Sequence, residues 1–229
     1  MDKAKQLLYP VGVESLFIAF YEDKEDSRDE FPEFEEDIYR LDNIVTIGIS
    51  GDPQEVVKWA SNKIFVSATR NTQFDLDLTH VALPQEVQDK MNGVEPVKGV
   101  AFGTSEVKEY PYFALGFIAP LSDGSRIARW YPKVQKVMVD EEFETMEEEA
   151  EVRDLENTFR ATPLLKNNVT DVDFSEVRES AKDITVDDFM EQVILDESQL
   201  DDLGNDSGAS TSSTTKTTGN KSVTGGKQD

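Results

Sequence analysis

Apolar and polar residues alternate with a period of two through most of the first two-thirds of the chain, which is the pattern of β-strands. The segment from Val13 to Tyr21 predicts one strand. The β-branched segment from Asn43 to Ser50 predicts another, which ends in a turn at Gly51 to Pro53. The stretch from Tyr112 to Ala119 is almost entirely apolar, which predicts a strand covered on both faces. Together these segments predict a mainly β fold.

A hairpin is predicted between two further strands. They span Asn62 to Thr69 and Thr72 to Leu83, joined by a short polar turn at Arg70-Asn71. Successive side chains of a strand point to opposite faces. One face of the second strand is apolar and holds Phe74, Leu76 and Leu78. The other face is polar and is expected to lie in water; it holds Asp75, Asp77 and Thr79.

Breakers and caps predict the elements between these strands. A helix begins at Pro84, where proline is tolerated in the first turn, and ends at Asn92-Gly93. A tight turn from Ser122 to Ser125 leads into a long strand from Arg126 to Val139. Pro132 is expected at an edge or a bulge of that strand, because proline cannot donate to a ladder.

Composition divides the chain into three regions. Residues 1–165 are predicted to form the β domain, closed by strands at Phe143 to Val152 and Leu155 to Ala161. Residues 166–203 form an acidic extension whose last part has apolar residues near helical spacing, so it is predicted to be partly helical. Residues 204–229 are rich in Gly, Ser and Thr and are predicted to be disordered.

The charge balance excludes several classes of function. The chain has 47 acidic and 23 basic residues, for a net charge of −24, and such a surface repels phosphates and anionic membranes. It has no cysteine and one histidine, so thiolate chemistry, disulfides and a His-rich metal site are not expected. Nucleotide-binding, metalloprotease and nucleophile-elbow motifs are absent from the sequence. The prediction is therefore a protein that is not an enzyme and has no cofactor or metal. The N-terminus has no secretory signal, which predicts a cytoplasm-like compartment.

Many of the acidic residues lie in two runs. The first, Glu22 to Asp37, predicts a solvated loop over residues 22–42, or an arm that docks Phe31 and Phe34 on a neighbouring subunit. The second, Asp140 to Glu156, directly follows a basic strand. The basic residues of that strand are Arg126, Arg129, Lys133 and Lys136.

Opposite charges on these neighbouring segments favour strand pairing. Pairing within one chain would form a hairpin. Pairing between copies would form a subunit interface, with Glu144 and Glu148 as candidate acidic partners of the basic strand. Both alternatives remain open at this point.

The order and spacing of five segments resemble a known family. The segments are Gly12 to Phe20 with the acidic insert after it, Trp59 to Asn62 before the strand pair ending at Leu83-Pro84, Glu109 to Phe117, Arg126 to Val134, and Leu155 to Ala161. Over Val11 to Leu164 they resemble the major tail protein, or tail tube protein, of long-tailed, non-contractile bacteriophages that infect Gram-positive bacteria.

The resemblance implies a tail-tube-type β-sandwich or barrel with a flanking helix, which assembles into hexameric rings that stack into a hollow tube. It implies as partners copies of the same chain, a tape measure protein, a tail terminator, and distal tail or baseplate proteins. Genomic DNA would pass through the lumen without specific binding, and the protein would lie in the virion tail after assembly in the host cytoplasm. Asp75, Asp77 and Thr79 would then face the lumen, where anionic walls repel DNA.

An acidic DNA mimic is the alternative function. Carboxylates spaced along strands can imitate phosphates and occupy the basic groove of a nuclease or a repressor. Such a protein has no need for the clustered basic residues of the strand from Arg126 to Lys136.

Overall fold

The computed structural model describes residues 7–60, 63–103, 109–138, 154–181, 184–201 and 203. This part of the chain is mainly β, as predicted, with eight strands, two short helices and one 3-10 turn. The strands are β1 (Ser15–Tyr21), β2 (Phe34–Leu41), β3 (Ile44–Ala60), β4 (Lys63–His80), β5 (Tyr112–Pro120), β6 (Arg126–Lys136), β7 (Leu155–Ala161) and β8 (Val172–Ser175). The helices are α1 (Gln85–Met91) and α2 (Val186–Met190), and the 3-10 turn is Glu197–Asp201.

All strands belong to one antiparallel sheet that curls on itself. Its order is β2-β1-β5-β6-β7-β4-β3, and β8 pairs with the first half of β6 along the edge that β7 leaves open. β2 and β3 lie at the two ends of this order, yet only Asp42 and Asn43 separate them along the chain. The three Cα steps from Leu41 to Ile44 span at most about 11 Å. The two edges of the sheet therefore come close at this point, which gives the fold a barrel-like curvature.

Two apolar layers cover the sheet. The inner layer joins residues from six strands, Leu76 and Phe113 among them, to Val87 and Met91 of α1. The outer layer packs Trp130 of β6 under α2 and the residues that follow it. β5 contributes alternately to both layers, so the prediction that it is covered on both faces is confirmed.

Gly116 of β5 permits the close approach of the outer layer. A Cβ atom at this position would lie 2.6 Å from Cε3 of Trp130 and 2.8 Å from Cε of Met190. Any side chain here would therefore displace the indole on which α2 rests. The Trp130 Nε1–H donates to the carbonyl of Phe189 at 3.2 Å, which fixes the register of α2 against β6.

Several predicted elements agree with the structure. The helix ends as predicted, since Asn92 is its C-cap and Gly93 has φ of +56°. The turn before β6 is closed by the Asp123 carboxylate, which accepts from the Ser125 N–H at 3.0 Å. Pro132 lies at a bulge, because the register between β5 and β6 shifts opposite it.

The predicted hairpin is wrong, because its two strands form one continuous strand, β4, which pairs with β3 instead. Arg70 and Asn71 do not turn; they lie inside β4 and pair with Gln54 and Pro53 of β3. The predicted turn at Gly51 to Pro53 is also wrong, because β3 continues through it with a shift of register. The break in β3 lies opposite the polar segment of β4, and one shift of register accommodates both within a long hairpin.

The acidic loop needs correction, and the C-terminal extension has more contacts than its sequence indicates. The predicted loop 22–42 contains β2, because Phe34–Leu41 pairs with β1. The extension after residue 165 packs on the β domain, since it supplies β8 and much of the outer layer. The helix of the extension is short, and apolar residues beyond it turn inward without helical structure. The predicted strand Phe143–Val152 and the predicted disordered tail lie outside the described residues.

Candidate assembly surfaces

The strands β3, β4 and β7 share an outer sheet face. In the three rows of paired residues centred on Asp75, Asp77 and Thr79, this face has no exposed apolar side chain. Asp75, Asp77 and Thr79 lie on this face, while Leu76 and Leu78 between them are buried in the core. Their register partners on the same face are Thr46, Gly48 and Ser50 of β3 and Glu156, Thr158 and Arg160 of β7. The predicted alternation of an apolar and a wet face is therefore confirmed, and we refer to these nine residues as the polar face.

The polar face is less anionic than β4 alone suggests. Arg160 is the direct partner of Asp75, and its Nε–H donates to Oδ1 at 2.9 Å. Thr158 lies opposite Asp77 and donates its hydroxyl to Oδ1 at 2.9 Å. The face thus carries three carboxylates and one guanidinium. The sequence did not identify Arg160, because the register that places it beside Asp75 joins strands 85 residues apart.

The hairpin of β3 and β4 extends beyond the rest of the sheet. β4 pairs with β7 only over Phe74–His80, whereas its pairing with β3 continues to Ala60 and Lys63. About ten residues of each strand therefore form a two-stranded arm, with a length of about 30 Å. In the described chain, the arm's backbone has hydrogen-bonding partners only within the hairpin, so both of its long edges are open to other strands.

The basic strand β6 finds its partners inside the chain. Arg126 pairs with Glu176 and Asp187 at 3.2 and 3.0 Å, and Arg129 lies 3.8 Å from Asp171. These acids belong to the C-terminal extension, which is thereby attached to β6. Sequence reasoning missed them because it looked to the nearer acidic run. Glu144 and Glu148 lie outside the described residues, so their pairing stays a prediction.

Lys133 and Lys136 are also engaged within the chain. Lys136 donates to the side-chain oxygen of Asn92 at 2.9 Å, which ties the end of β6 to the end of α1. Lys133 is buried and pairs with Asp26 at 2.7 Å. The contacts of these four basic residues give no support to their predicted role between subunits, and the burial of Lys133 removes it from any outer surface.

Asp26 joins three segments that are distant in sequence. Its side chain is 1% exposed, and that of Lys133 is 10% exposed. Both carboxylate oxygens also accept from the backbone N–H of Leu165, at 2.9 and 3.1 Å. Burial and the nearby Asp26 carboxylate raise the pKa of Tyr21, whose hydroxyl donates to the Pro132 carbonyl. The acidic loop is thus anchored to β6 and to the start of the extension at one buried carboxylate.

Phe31 and Phe34 dock on their own chain. Phe34 makes an edge contact with Tyr21 at 5.0 Å between ring centroids, and the Lys166 ammonium lies 4.1 Å from the centre of the Phe31 ring. Both rings pack against the outer layer. The prediction that they anchor a neighbouring subunit has no support in these contacts, which occupy them locally.

His80 is a core residue at the junction of three strands. It pairs with Ile44 of β3 and Leu155 of β7, and the Asn157 amide nitrogen lies 2.6 Å from Nε2. Burial lowers the pKa of His80, against the opposing effects of the Ala82 backbone and the Asp154 carboxylate. Within the described ranges, His and acidic side chains form no group of three placed to hold a metal ion.

No protein-family model and no curated protein matches this chain. In the described part of the chain, no helix is both long enough and apolar enough to cross a membrane.

Proposed function

We propose that the protein is a structural subunit that polymerises into a hollow tube, as the tail tube protein of a long-tailed, non-contractile bacteriophage. The observation that carries the proposal is the arm of β3 and β4, whose two edges are open in the described chain. Unpaired edges in a monomer promote association with other strands, and self-assembly would pair them. The resemblance in segment order adds the tube and the virion tail to this argument.

The polar face supplies a suitable lining for a conduit. It presents threonine, serine, glycine and charged groups in regular rows, so it offers DNA neither an apolar surface nor a basic patch. The three carboxylates and one guanidinium of the face leave a net charge of −2 per copy, so six copies would place −12 on the wall, which repels phosphates within a Debye length, about 8 Å at physiological salt. Asp75, Asp77 and Thr79 therefore remain the proposed lumen-facing residues.

A shortened arm tests the proposal. Gln54 and Arg70 are register partners, so residues 55–69 can be replaced by Asn-Gly, which favours a tight two-residue turn between paired strands. Pairing of β4 with β7 lies outside the replaced segment and is retained. Negative-stain electron microscopy and light scattering at increasing concentration are expected to show tubes for the full chain and only folded small species for the shortened chain.

The possible outcomes separate the alternatives. Regular tubes from the shortened chain would show that the arm does not carry assembly. A full-length chain that stays monomeric at every concentration, and that binds basic proteins with steep salt dependence, would contradict the proposal in favour of the DNA mimic.

A further inference from the structure

Two exposed apolar patches lie at opposite ends of the central strand β5. The N-terminal patch consists of Leu7, Tyr9 and Val11, and the loop patch consists of Val97, Val100 and Phe102. Leu7 and Phe102 are 88% and 82% exposed. Three large apolar side chains within five or six residues of sequence exceed the scattered exposure that a soluble surface normally shows. Within the described residues nothing covers either patch, so each is available for contact with another molecule.

Backbone hydrogen bonds fix the N-terminal patch at the end of β5. The Val11 N–H donates to the carbonyl of Pro120 at 2.9 Å, and the Ser122 N–H donates to that of Tyr9 at 3.0 Å. The segment is thus held beside the turn between β5 and β6 while its side chains remain in solvent.

The loop that carries the second patch begins at the other end of β5. Its loop leaves α1 at Gly93, whose backbone packs against Pro111 just before β5 begins. Val97 and Val100 exchange two backbone hydrogen bonds at 3.0 and 3.1 Å around Lys98 and Gly99, which both have positive φ. This is the geometry of a tight hairpin turn, so the patch is presented on a preformed support. The nine residues of β5 separate the two ends by about 30 Å.

Both patches are nearly free of charge in a strongly anionic chain. Residues 7–13 contain no charged residue, and residues 96–103 contain only Lys98. Two copies at −24 repel each other over most of their surfaces, so these uncharged segments are where close approach costs least. A basic partner would instead be attracted to the acidic loop. An anionic lipid surface would repel the chain as a whole.

We propose that the N-terminal patch of one copy binds the loop patch of the next copy, in a head-to-tail contact that repeats along the assembly. The inference rests on the proposed self-assembly and names the surfaces that carry its axial step. Because the patches differ and lie at opposite ends, their contact is heterologous and does not close on itself. The contact between the patches therefore extends the assembly along its axis, whereas the arm of β3 and β4 pairs with sheet edges of other copies.

Two charge-introducing variants test this pairing, Tyr9→Glu and Phe102→Glu. Each replaces an exposed side chain, so each is expected to keep the thermal unfolding midpoint of the parent. Each alone is expected to weaken longitudinal association at least about tenfold. Val177→Glu, which changes an equally apolar exposed residue outside both patches, is the matched control and should assemble like the parent.

A mixture of the two variants gives the decisive measurement. Tyr9→Glu keeps its loop patch and Phe102→Glu keeps its N-terminal patch, so these two intact patches can bind each other in the mixture. The patches left over are both altered, so no further copy can add. Light scattering is expected to show units of doubled mass that do not grow further. A mixture that stays at the mass of the single variants would overturn the pairing of these patches.

The remaining outcomes are distinguishable from a failure of the proposed function. If the parent forms tubes and both variants form tubes of the same length, the head-to-tail contact is refuted while the proposed function stands. If the parent never assembles, both are refuted. Flotation with phosphatidylcholine vesicles that is lost in Phe102→Glu, with normal assembly, would reassign the loop patch to lipid.

Discussion

The buried pair of Asp26 and Lys133 makes a strong prediction about stability. Asp26→Asn keeps the size of the side chain and an oxygen for the Leu165 N–H, but it removes the negative charge. The Lys133 ammonium then lies, only 10% exposed, without its counter-charge and 4.9 Å from the centre of the Tyr112 ring. Removing one partner of a buried ion pair costs about 3–5 kcal/mol. Because the total stability of a domain is about 5–15 kcal/mol, the variant is expected to unfold at much lower denaturant.

A double-mutant cycle isolates the charge effect. Adding Lys133→Met to Asp26→Asn removes both charges, and replacing a buried pair by neutral groups is often close to neutral, so most of the lost stability should return. Urea unfolding followed by tryptophan fluorescence measures this, since Trp130 is fully buried. The matched control is Asp75→Asn with Arg160→Met, an ion pair with side chains 35% and 45% exposed. That pair should contribute less than about 1 kcal/mol.

Either of two results would contradict the predicted role of the Asp26 charge. One is a loss below about 0.5 kcal/mol in Asp26→Asn, the range of ordinary surface substitutions. The other is a double variant that is as unstable as the single variant, because the loss would then come from something other than the unpaired ammonium.

Three further predictions concern packing, titration and assembly. Gly116→Ala should destabilise the fold by about 1–3 kcal/mol, because its Cβ would overlap Trp130 and Met190. Gly12→Ala is the control, since a Cβ there has no atom within 4 Å and should leave stability unchanged. Equal urea midpoints for the two variants would contradict the predicted overlap. Burial lowers the pKa of His80 in the folded state. The stability contributed by its neutral imidazole is therefore fully present above the unfolded pKa of about 6.5 and is lost as pH falls toward the folded pKa. His80→Gln should flatten that slope, and the imidazole signal of this single histidine in proton NMR reports its titration directly. Assembly should increase as salt rises from about 0.01 to 0.15 M, because the Debye length falls from about 30 to 8 Å and the repulsion between chains of net charge −24 is screened. Light scattering that decreases over this range would contradict the prediction.

Sequence periodicity predicted most of the central sheet, because each strand there carries its own signal. The alternation around Leu76 and Leu78 identified a buried and a wet face, and the apolar run of β5 identified a strand covered twice. These signals are local: a strand that must bury one face needs apolar residues at every second position.

The rest depended on contacts between distant residues. Nothing local distinguishes Asp26 from the other acids of its run, yet it alone of that run meets Lys133 and the Leu165 N–H. Arg70-Asn71 has the composition of a turn but is opposed by a break in β3, and cross-strand pairing prevails over local preference. The sequence did not predict that the extension packs on β6, because the apolar surface that it covers exists only once the sheet has formed.

The pairing of β1 with β5 has a consequence for how the chain folds. Their register partners are about 100 residues apart, from Phe20 with Phe113 to Ser15 with Ile118, so this central ladder forms late and by a slow, non-local search. During synthesis at about 5–20 residues per second, β1 waits for several seconds with only β2 as a partner, and its other edge stays open to aggregation. Glu14 precedes it and the acidic loop follows it. Those charges therefore act as gatekeepers on the nascent chain, and neutralising them should lower the yield of soluble protein before it alters the folded state.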